Sequence, residues 1–353
     1  MNIGIAKEIK PFEGRVALSP QACLALINKQ HRVSIEQGAG LLSGYSDCEY
    51  SELGVNICSD ARGLYLDNEL IIKVKEPVGA DLDYLTDKHT LFCFLHLAAN
   101  PQLANQLAKI GVTALAFESV MENKALPLLK PMSQIAGRLA VQIGSNLLQL
   151  QQGGMGLMLG GANADAQQGV DSGQVLVLGA GSAGTQAALL ASRMGAKVAV
   201  FDQYQLALDR IAQLDANIQL IHDETVCRSL LPTTNLLVGA LLVPGKRSPH
   251  FISRSELKLM KANSVLVDIS VDQGGCVETT RPTTYEKPTF VEEGVLHFCV
   301  SNMPGAVPRT ATQALSALLP AYVQRITLNN WYENDNIMRN AVNIKGGEVL
   351  IDI

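Results

Sequence analysis

VLVLGAGSAGTQAALLASRMGAKVAVFD, residues 175–202, decides the fold. A short apolar run that reads as a buried strand leads straight into Gly179-x-Gly181-x-x-Gly184, where an alanine- and leucine-rich helix pattern begins. Glycines at that spacing have three separate duties. The first allows a tight turn, the second lets the backbone approach a pyrophosphate, and the third lets helix pack close on strand. The helix N-terminus adds unpaired N–H groups and a partial positive charge facing the phosphates. A second apolar run ends in Asp202, 18 residues past Gly184. A carboxylate there can take both hydroxyls of an adenosine ribose. Gln203 and Tyr204 follow with no immediate arginine, so the pattern predicts NAD over NADP, whose 2′-phosphate would meet Asp202 with like charge. The competing account is a glycine-rich strand–helix turn with a helix-capping aspartate. Strand, turn, helix, second strand and terminal acid all fit the dinucleotide account.

Outward from this motif the chain alternates between strand and helix patterns. Ahead of it lie NIGIA (2–6), RVSIEQ (32–37), LIIKVK (70–75), TLFCFLHL (90–97) and VTALAFES (112–119), with helical patterns at 19–29 and 100–111 between some of them. A longer helical pattern covers 133–151, and a glycine-rich, polar stretch covers 153–173. After QVLVLG (174–179) come AKVAVFD (196–202), NIQLIH (217–222), NLLVGA (235–240), SVLVDIS (264–270) and VLHFCVSN (295–302). Such alternation predicts α/β architecture with mostly parallel sheets covered on both faces. The helical tail at 310–331, interrupted by Pro320, is expected to return to the first domain. The predicted organisation is a discontinuous catalytic domain, 1–130 and 304–353, with an NAD domain, 131–303, inserted in it.

The bulk properties exclude several classes. The chain has 353 residues, 47% of them hydrophobic, and a net charge of −5. It has no basic block interleaved with aromatics, which argues against nucleic acid as a partner. No uninterrupted apolar run reaches 18 residues, and the first residues lack the apolar core of a signal peptide. The seven cysteines are scattered and free of C-x-x-C pairs, so neither a disulfide framework nor a metal site is expected. Reduced thiols in a cytoplasm are the expected setting.

Candidate chemistry sits near the predicted strand ends. Arg15 precedes a helix start and offers a bidentate fork to a carboxylate, although from position alone a surface ion pair is the favoured account. Lys73 and Lys75 share one face if LIIKVK is a strand throughout. His96 lies in an apolar run that reads as buried strand, where an imidazole is costly without a partner. Asp268 falls within a strand and Asp272 just beyond it, at the carboxyl ends where ligands bind in open α/β sheets.

As a set these words resemble the alanine dehydrogenase family. The matching segments are KEIKPFEGRVALSP (7–20), VKEP (74–77), FLHLAA (94–99), LPLLKPMSQIAGRLAVQIG (126–144), GAGSAG (179–184), LVPG (242–245), SVDQGG (270–275) and SNMPGAVPRT (301–310). The resemblance implies two Rossmann-like domains, a hexamer, and reversible conversion of L-alanine to pyruvate and ammonium with hydride transfer to NAD. It implies that Arg15 and Lys75 hold the substrate carboxylate, that His96 is the acid/base, and that Asp272 helps activate water or ammonia. Asn302 would lie near the substrate, and Met132 and Ser133 near the nicotinamide end. Gly179, Gly181, Gly184 and Asp202 would hold the rest of NAD, with no metal. The chain departs from the family pattern at Gln134, where an acid is usual, at Phe117, where tyrosine is usual, and in the polar stretch at 160–173. It also stops at GGEVLIDI (346–353), sooner than most members. Rival readings are an opine- or saccharopine-type oxidoreductase, which needs a wider pocket, and the NAD-binding subunit of a proton-translocating transhydrogenase. The latter lacks the FLHLAA histidine and the aspartate of SVDQGG.

Overall fold

Short runs of valine, leucine and isoleucine buried on both faces form the centres of two sheets. A computed structural model describes residues 1–162, 170, 172–242, 248 and 250–351. Most of the polar stretch at 160–173, namely 163–169 and 171, lies outside these residues, as do 243–245 of LVPG. The chain divides into one unit made of Met1–Met132 with Pro304–Ile353, and a second made of Ser133–Met303.

Strands are numbered along the chain. The first unit holds β1 (Asn2–Ile5), β2 (Arg32–Glu36), β3 (Asn56–Cys58), β4 (Leu70–Ile72), β5 (Thr90–Cys93) and β6 (Thr113–Ala116), joined late in the sequence by β14 (Val342–Lys345) and β15 (Glu348–Val349). Among the described residues its sheet runs β15-β14-β6-β5-β4-β1-β2-β3. The members from β6 to β3 are parallel, with Ile3 beside both Val33 and Leu70, and Leu91 beside both Ile71 and Ala114. β14 and β15 extend it in antiparallel sense. The helices start on local signals. Ser19 caps Pro20–Ile27 by accepting from Ala22 N, and Asn100 caps Pro101–Ile110 by accepting from Leu103 N. Each satisfies an otherwise orphaned N–H, and proline at the first position costs no hydrogen bond.

The C-terminal return is fixed by polar contacts within this unit. Thr312 Oγ1 accepts from Val16 N at 3.0 Å and Ser316 Oγ accepts from Ser19 N at 2.9 Å. The tail forms two helices, Pro308–Ser316 and Leu319–Ile326, with Pro320 in the first turn of the second.

The second unit contains β7 (Gln174–Leu178), β8 (Lys197–Phe201), β9 (Gln219–Ile221), β10 (Leu236–Gly239), β11 (Val265–Asp268), β12 (Thr289–Glu292) and β13 (Val295–Phe298). The order is β12-β13-β11-β10-β7-β8-β9, parallel except for the β12 edge. Strand order reverses beside β7, and ligands bind at that crevice in doubly wound sheets. The long helix spans Leu129–Leu147, one turn ahead of the predicted 133–151. At Gly137 a Cβ would lie 2.0 Å from the carbonyl oxygen of Ala183, so glycine is required for that close helix crossing.

Candidate active site

In the first unit β1, β4 and β5 are parallel neighbours, so the segments leaving them emerge on one edge of the sheet. Arg15 lies in the loop after β1 and is 3% exposed, which rules out a surface ion pair. Its Nε donates to Glu13 Oε1 at 2.7 Å, its Nη2 to Glu13 Oε2, and its main-chain N–H to Glu13 Oε1 at 3.0 Å. Nη1 lies 3.3 Å from the sulfur of Met132. The Nε/Nη2 edge of the fork therefore faces Glu13.

The two lysines of LIIKVK do not share a strand face. The regular strand ends at Ile72, and two further main-chain bonds, Lys73 N to Phe92 O at 3.3 Å and Phe94 N to Val74 O at 3.0 Å, carry its pairing with the β5 segment only as far as Val74. Lys73 turns inward and is 1% exposed, with Nζ 3.2 Å from Asp81 Oδ2 and 3.7 Å from Glu8 Oε2. Burial alone would depress its pKa, but the attraction of Glu8 and Asp81 outweighs burial and raises it. Lys75 stays half-buried, its Nζ 3.7 Å from Glu76 Oε2, and the other oxygen of Glu76 meets Lys10.

The expectation that His96 lies in a buried strand is also overturned. β5 ends at Cys93, and His96 adopts φ 48°, ψ 38° with its side chain 42% exposed. The physical reason lies on the neighbouring strand. The carboxylate of Glu118, just past β6, accepts the main-chain N–H of His96 at 2.6 Å and that of Leu95 at 3.1 Å, ending the ladder there. The left-handed turn then lifts the imidazole out of the core. Its ring lies parallel to Phe94 at 5.8 Å, and Nδ1 is 3.7 Å from Glu118 Oε1. Phe94 in turn meets Phe117 edge-on at 5.0 Å. Glu13 and Glu118 did not stand out in the sequence as partners. The only local signal was an acid two residues before Arg15 and another just past the ALAF run.

In the second unit the three glycines of the turn differ in what holds them. Gly179 has φ 103° and a Cβ there would lie 2.6 Å from the carbonyl oxygen of Ala240. At Gly184 a Cβ would lie 1.8 Å from the carbonyl oxygen of Gly179. Gly181, the residue before helix Ser182–Arg193, has open space where its side chain would be. The chain's own packing explains the first and third, while the second leaves room for a ligand to reach the helix N-terminus. These residues fit a dinucleotide. Asp202 is 8% exposed, and its carboxylate accepts from Ala180 N at 2.6 Å and from Tyr204 N at 2.9 Å, tying the acid to the turn.

The two aspartates near the end of β11 divide by environment. Asp268 is fully buried and accepts from Ser270 N at 2.9 Å and Cys276 N at 2.8 Å. Burial raises its pKa to about 6. Asp272 sits in the short helical turn Ile269–Gln273 and is exposed. Its Oδ2 accepts the main-chain N–H of Asn302 at 3.3 Å, and Asn302 has φ 60°. These two expected site residues are therefore adjacent. Ser133 opens this unit half-buried. His297 shows what a core histidine looks like here. It is 0% exposed, with Nε2 2.8 Å from Thr279 Oγ1 and Nδ1 2.8 Å from the Val295 carbonyl. Among the described residues no three His, Cys, Asp or Glu side chains are placed to hold a metal ion.

Two Rossmann-like units, one with a glycine turn shaped for a dinucleotide, define the two-domain dehydrogenase class. The chain belongs to the alanine dehydrogenase/PNT family: its residues 4–136 match the N-terminal domain of that family and residues 140–352 match the C-terminal domain. It is similar to alanine dehydrogenase of Bacillus subtilis, with 41% identity covering 99% of this chain and 92% of that protein. It is likewise similar to alanine dehydrogenase of Halomonas elongata, with 39% identity covering 99% of this chain and 94% of that protein. A solved L-alanine dehydrogenase superposes with a TM-score of 0.93 at 41% identity, covering 99% of this chain and 97% of the other. A Sinorhizobium meliloti transhydrogenase shares the fold, with a TM-score of 0.84 at 24% identity, covering 99% of each.

Proposed function

We propose that the chain is an NAD-dependent L-alanine dehydrogenase that interconverts L-alanine with pyruvate and ammonium. The observation that supports this best is the edge of the first sheet, where Arg15, Lys75 and His96 leave parallel neighbouring strands and each has a carboxylate alongside. A guanidinium, an ammonium and an imidazole on one edge suit a small 2-oxo acid: two cations for its carboxylate and an acid/base for its oxygen.

In this proposal the guanidinium of Arg15 and the ammonium of Lys75 orient the substrate carboxylate and offset its desolvation. His96 exchanges a proton with the carbonyl or carbinolamine oxygen, because an imidazole titrates near neutral pH. Asp272 orients the attacking water, or ammonia in the reverse direction, and Asn302 beside it contacts substrate. Gly179, Gly181, Gly184 and Asp202 hold the adenosine and pyrophosphate of NAD, with Met132 and Ser133 toward the nicotinamide. When bound, NAD supplies the hydride acceptor for the alanine Cα–H. The proposal includes a cytoplasmic setting and a homohexamer. Among the described residues no helix is long and apolar enough to cross a membrane.

The test is oxidation of NADH by purified protein with pyruvate and ammonium, beside an ammonium-free control and one with a larger amine. Ammonium-dependent oxidation supports the proposal. Turnover only with the larger amine would replace it with an opine- or saccharopine-type reaction, and no turnover despite NADH binding would remove it. Light scattering in solution checks the hexamer.

A further inference from the structure

Lys75 stands three residues beyond the end of β4 at Ile72 and one past Val74, whose carbonyl still accepts Phe94 N at 3.0 Å. The N–H groups on the other side of this segment are taken by a carboxylate from the neighbouring strand's exit. Glu8, just past β1, accepts the main-chain N–H of Val74 at 2.6 Å and that of Lys75 at 3.3 Å, both on Oε1. Its Oε2 accepts no hydrogen bond and faces Lys73 Nζ at 3.7 Å. Lys73 donates to the carbonyl oxygen of Lys7 at 3.1 Å and pairs with Asp81, which also accepts from Tyr65 Oη at 3.0 Å and Val78 N at 3.2 Å. Glu8, Lys73, Asp81 and Tyr65 are all buried. Buried charges persist only when paired and hydrogen-bonded, and this set is both.

We infer that Glu8 is a positioning residue for Lys75: its carboxylate fixes the main chain at 74–75 and so aims the ammonium proposed above to meet the substrate carboxylate. The inference rests on that role for Lys75. Burial raises the pKa of Glu8, and the Lys73 ammonium, trapped between Glu8 and Asp81, opposes that rise. The same device operates two strands along the sheet. Glu118, past β6, takes two consecutive N–H groups just past β5, ending at His96 as Glu8's pair ends at Lys75. Lys75 and His96 thus each sit at the second of two N–H groups clamped by a carboxylate from the adjacent strand.

Two variants separate reach from charge. Glu8→Asp keeps the charge beside Lys73 but is one methylene shorter. Glu8→Gln keeps the reach and an acceptor oxygen but loses the charge. For Glu8→Asp we expect KM for pyruvate to rise about 10-fold with kcat within about 3-fold, the pattern of lost uniform binding. Amide hydrogen exchange at 74–76 should speed up in the same variant. Glu8→Gln should stay within about 3-fold of wild type in KM, with exchange unchanged. Wild-type KM in Glu8→Asp overturns the inference, whatever its exchange rate. So does an equal loss in Glu8→Gln, which would confine Glu8 to neutralising Lys73. The exchange measurement needs no turnover. A wild-type protein inactive with pyruvate and ammonium would therefore sink the proposed activity, while slow exchange at 74–76 in Glu8→Asp would separately sink the clamp.

Discussion

Glu118 holds His96 at two points, accepting its main-chain N–H at 2.6 Å and standing 3.7 Å from its Nδ1. One carboxylate thus fixes both the left-handed turn and the ring above it. Glu118→Ala leaves two main-chain N–H groups without their acceptor, at a cost of about 1–3 kcal/mol each where water does not replace it. We expect kcat to fall about 10–100-fold, against about 100-fold or more for His96→Ala. NADH affinity should hold in both. Steady-state kinetics beside NADH titration checks this, and normal turnover in Glu118→Ala would show that the turn needs no clamp.

Arg15 is held along one edge by Glu13, so its position depends on a planar fork. Arg15→Lys keeps the charge and loses the fork, and KM for pyruvate should rise about 10-fold or more. Glu13→Gln should also raise it, by loosening the guanidinium. An unchanged KM in Arg15→Lys would mean that the substrate carboxylate is held elsewhere.

Asp202 braces the glycine turn through Ala180 N as well as facing the proposed ribose. Asp202→Ala is expected to weaken NADH by about 10-fold, roughly the energy of a charge-assisted hydrogen bond, and to narrow the preference over NADPH. Comparative titration with the two cofactors measures both effects. An unaltered preference would leave Asp202 a brace alone.

Asp268 makes stability depend on pH. Burial raises its pKa to about 6, so the folded state binds the proton more tightly than the unfolded chain does. Its favourable contribution is full below the ordinary aspartate value and is lost as pH rises through about 6. A shift of about two units corresponds to about 3 kcal/mol. In urea denaturation the stability of wild type relative to Asp268→Asn should therefore fall by about that amount from pH 4 to pH 7. A difference independent of pH would show that Asp268 titrates normally.

The sequence made the sheet interiors legible because runs such as Val175–Leu178 are apolar on both faces. It made the glycine turn legible because three conformational demands fall at fixed spacing. It overran at Lys75 and at Leu95–His96, where composition continues as strand but main-chain pairing between the strands does not. What ends the strand there is a carboxylate on a different strand, and only the sheet order brings Glu8 beside Val74 or Glu118 beside His96. That order is a long-range fact with no local pattern. The strands β3, β12, β14 and β15 escaped for a related reason: two to four residues carry too little periodicity to register. Asp272 and Asn302, 30 positions apart, become neighbours only through the parallel pairing of β11 with β13.

The first sheet is finished by β14 and β15, and the Val16 and Ser19 N–H groups find their acceptors on Thr312 and Ser316. During synthesis the ribosome delivers these pieces last. The whole of the second unit, 133–303, emerges before the strand that covers β6 exists. The nascent chain therefore carries β6 as an open edge, a template for wrong pairing, while roughly 200 further residues are made at 5–20 residues per second. Expression of this protein should depend on chaperone capacity more than its final stability suggests.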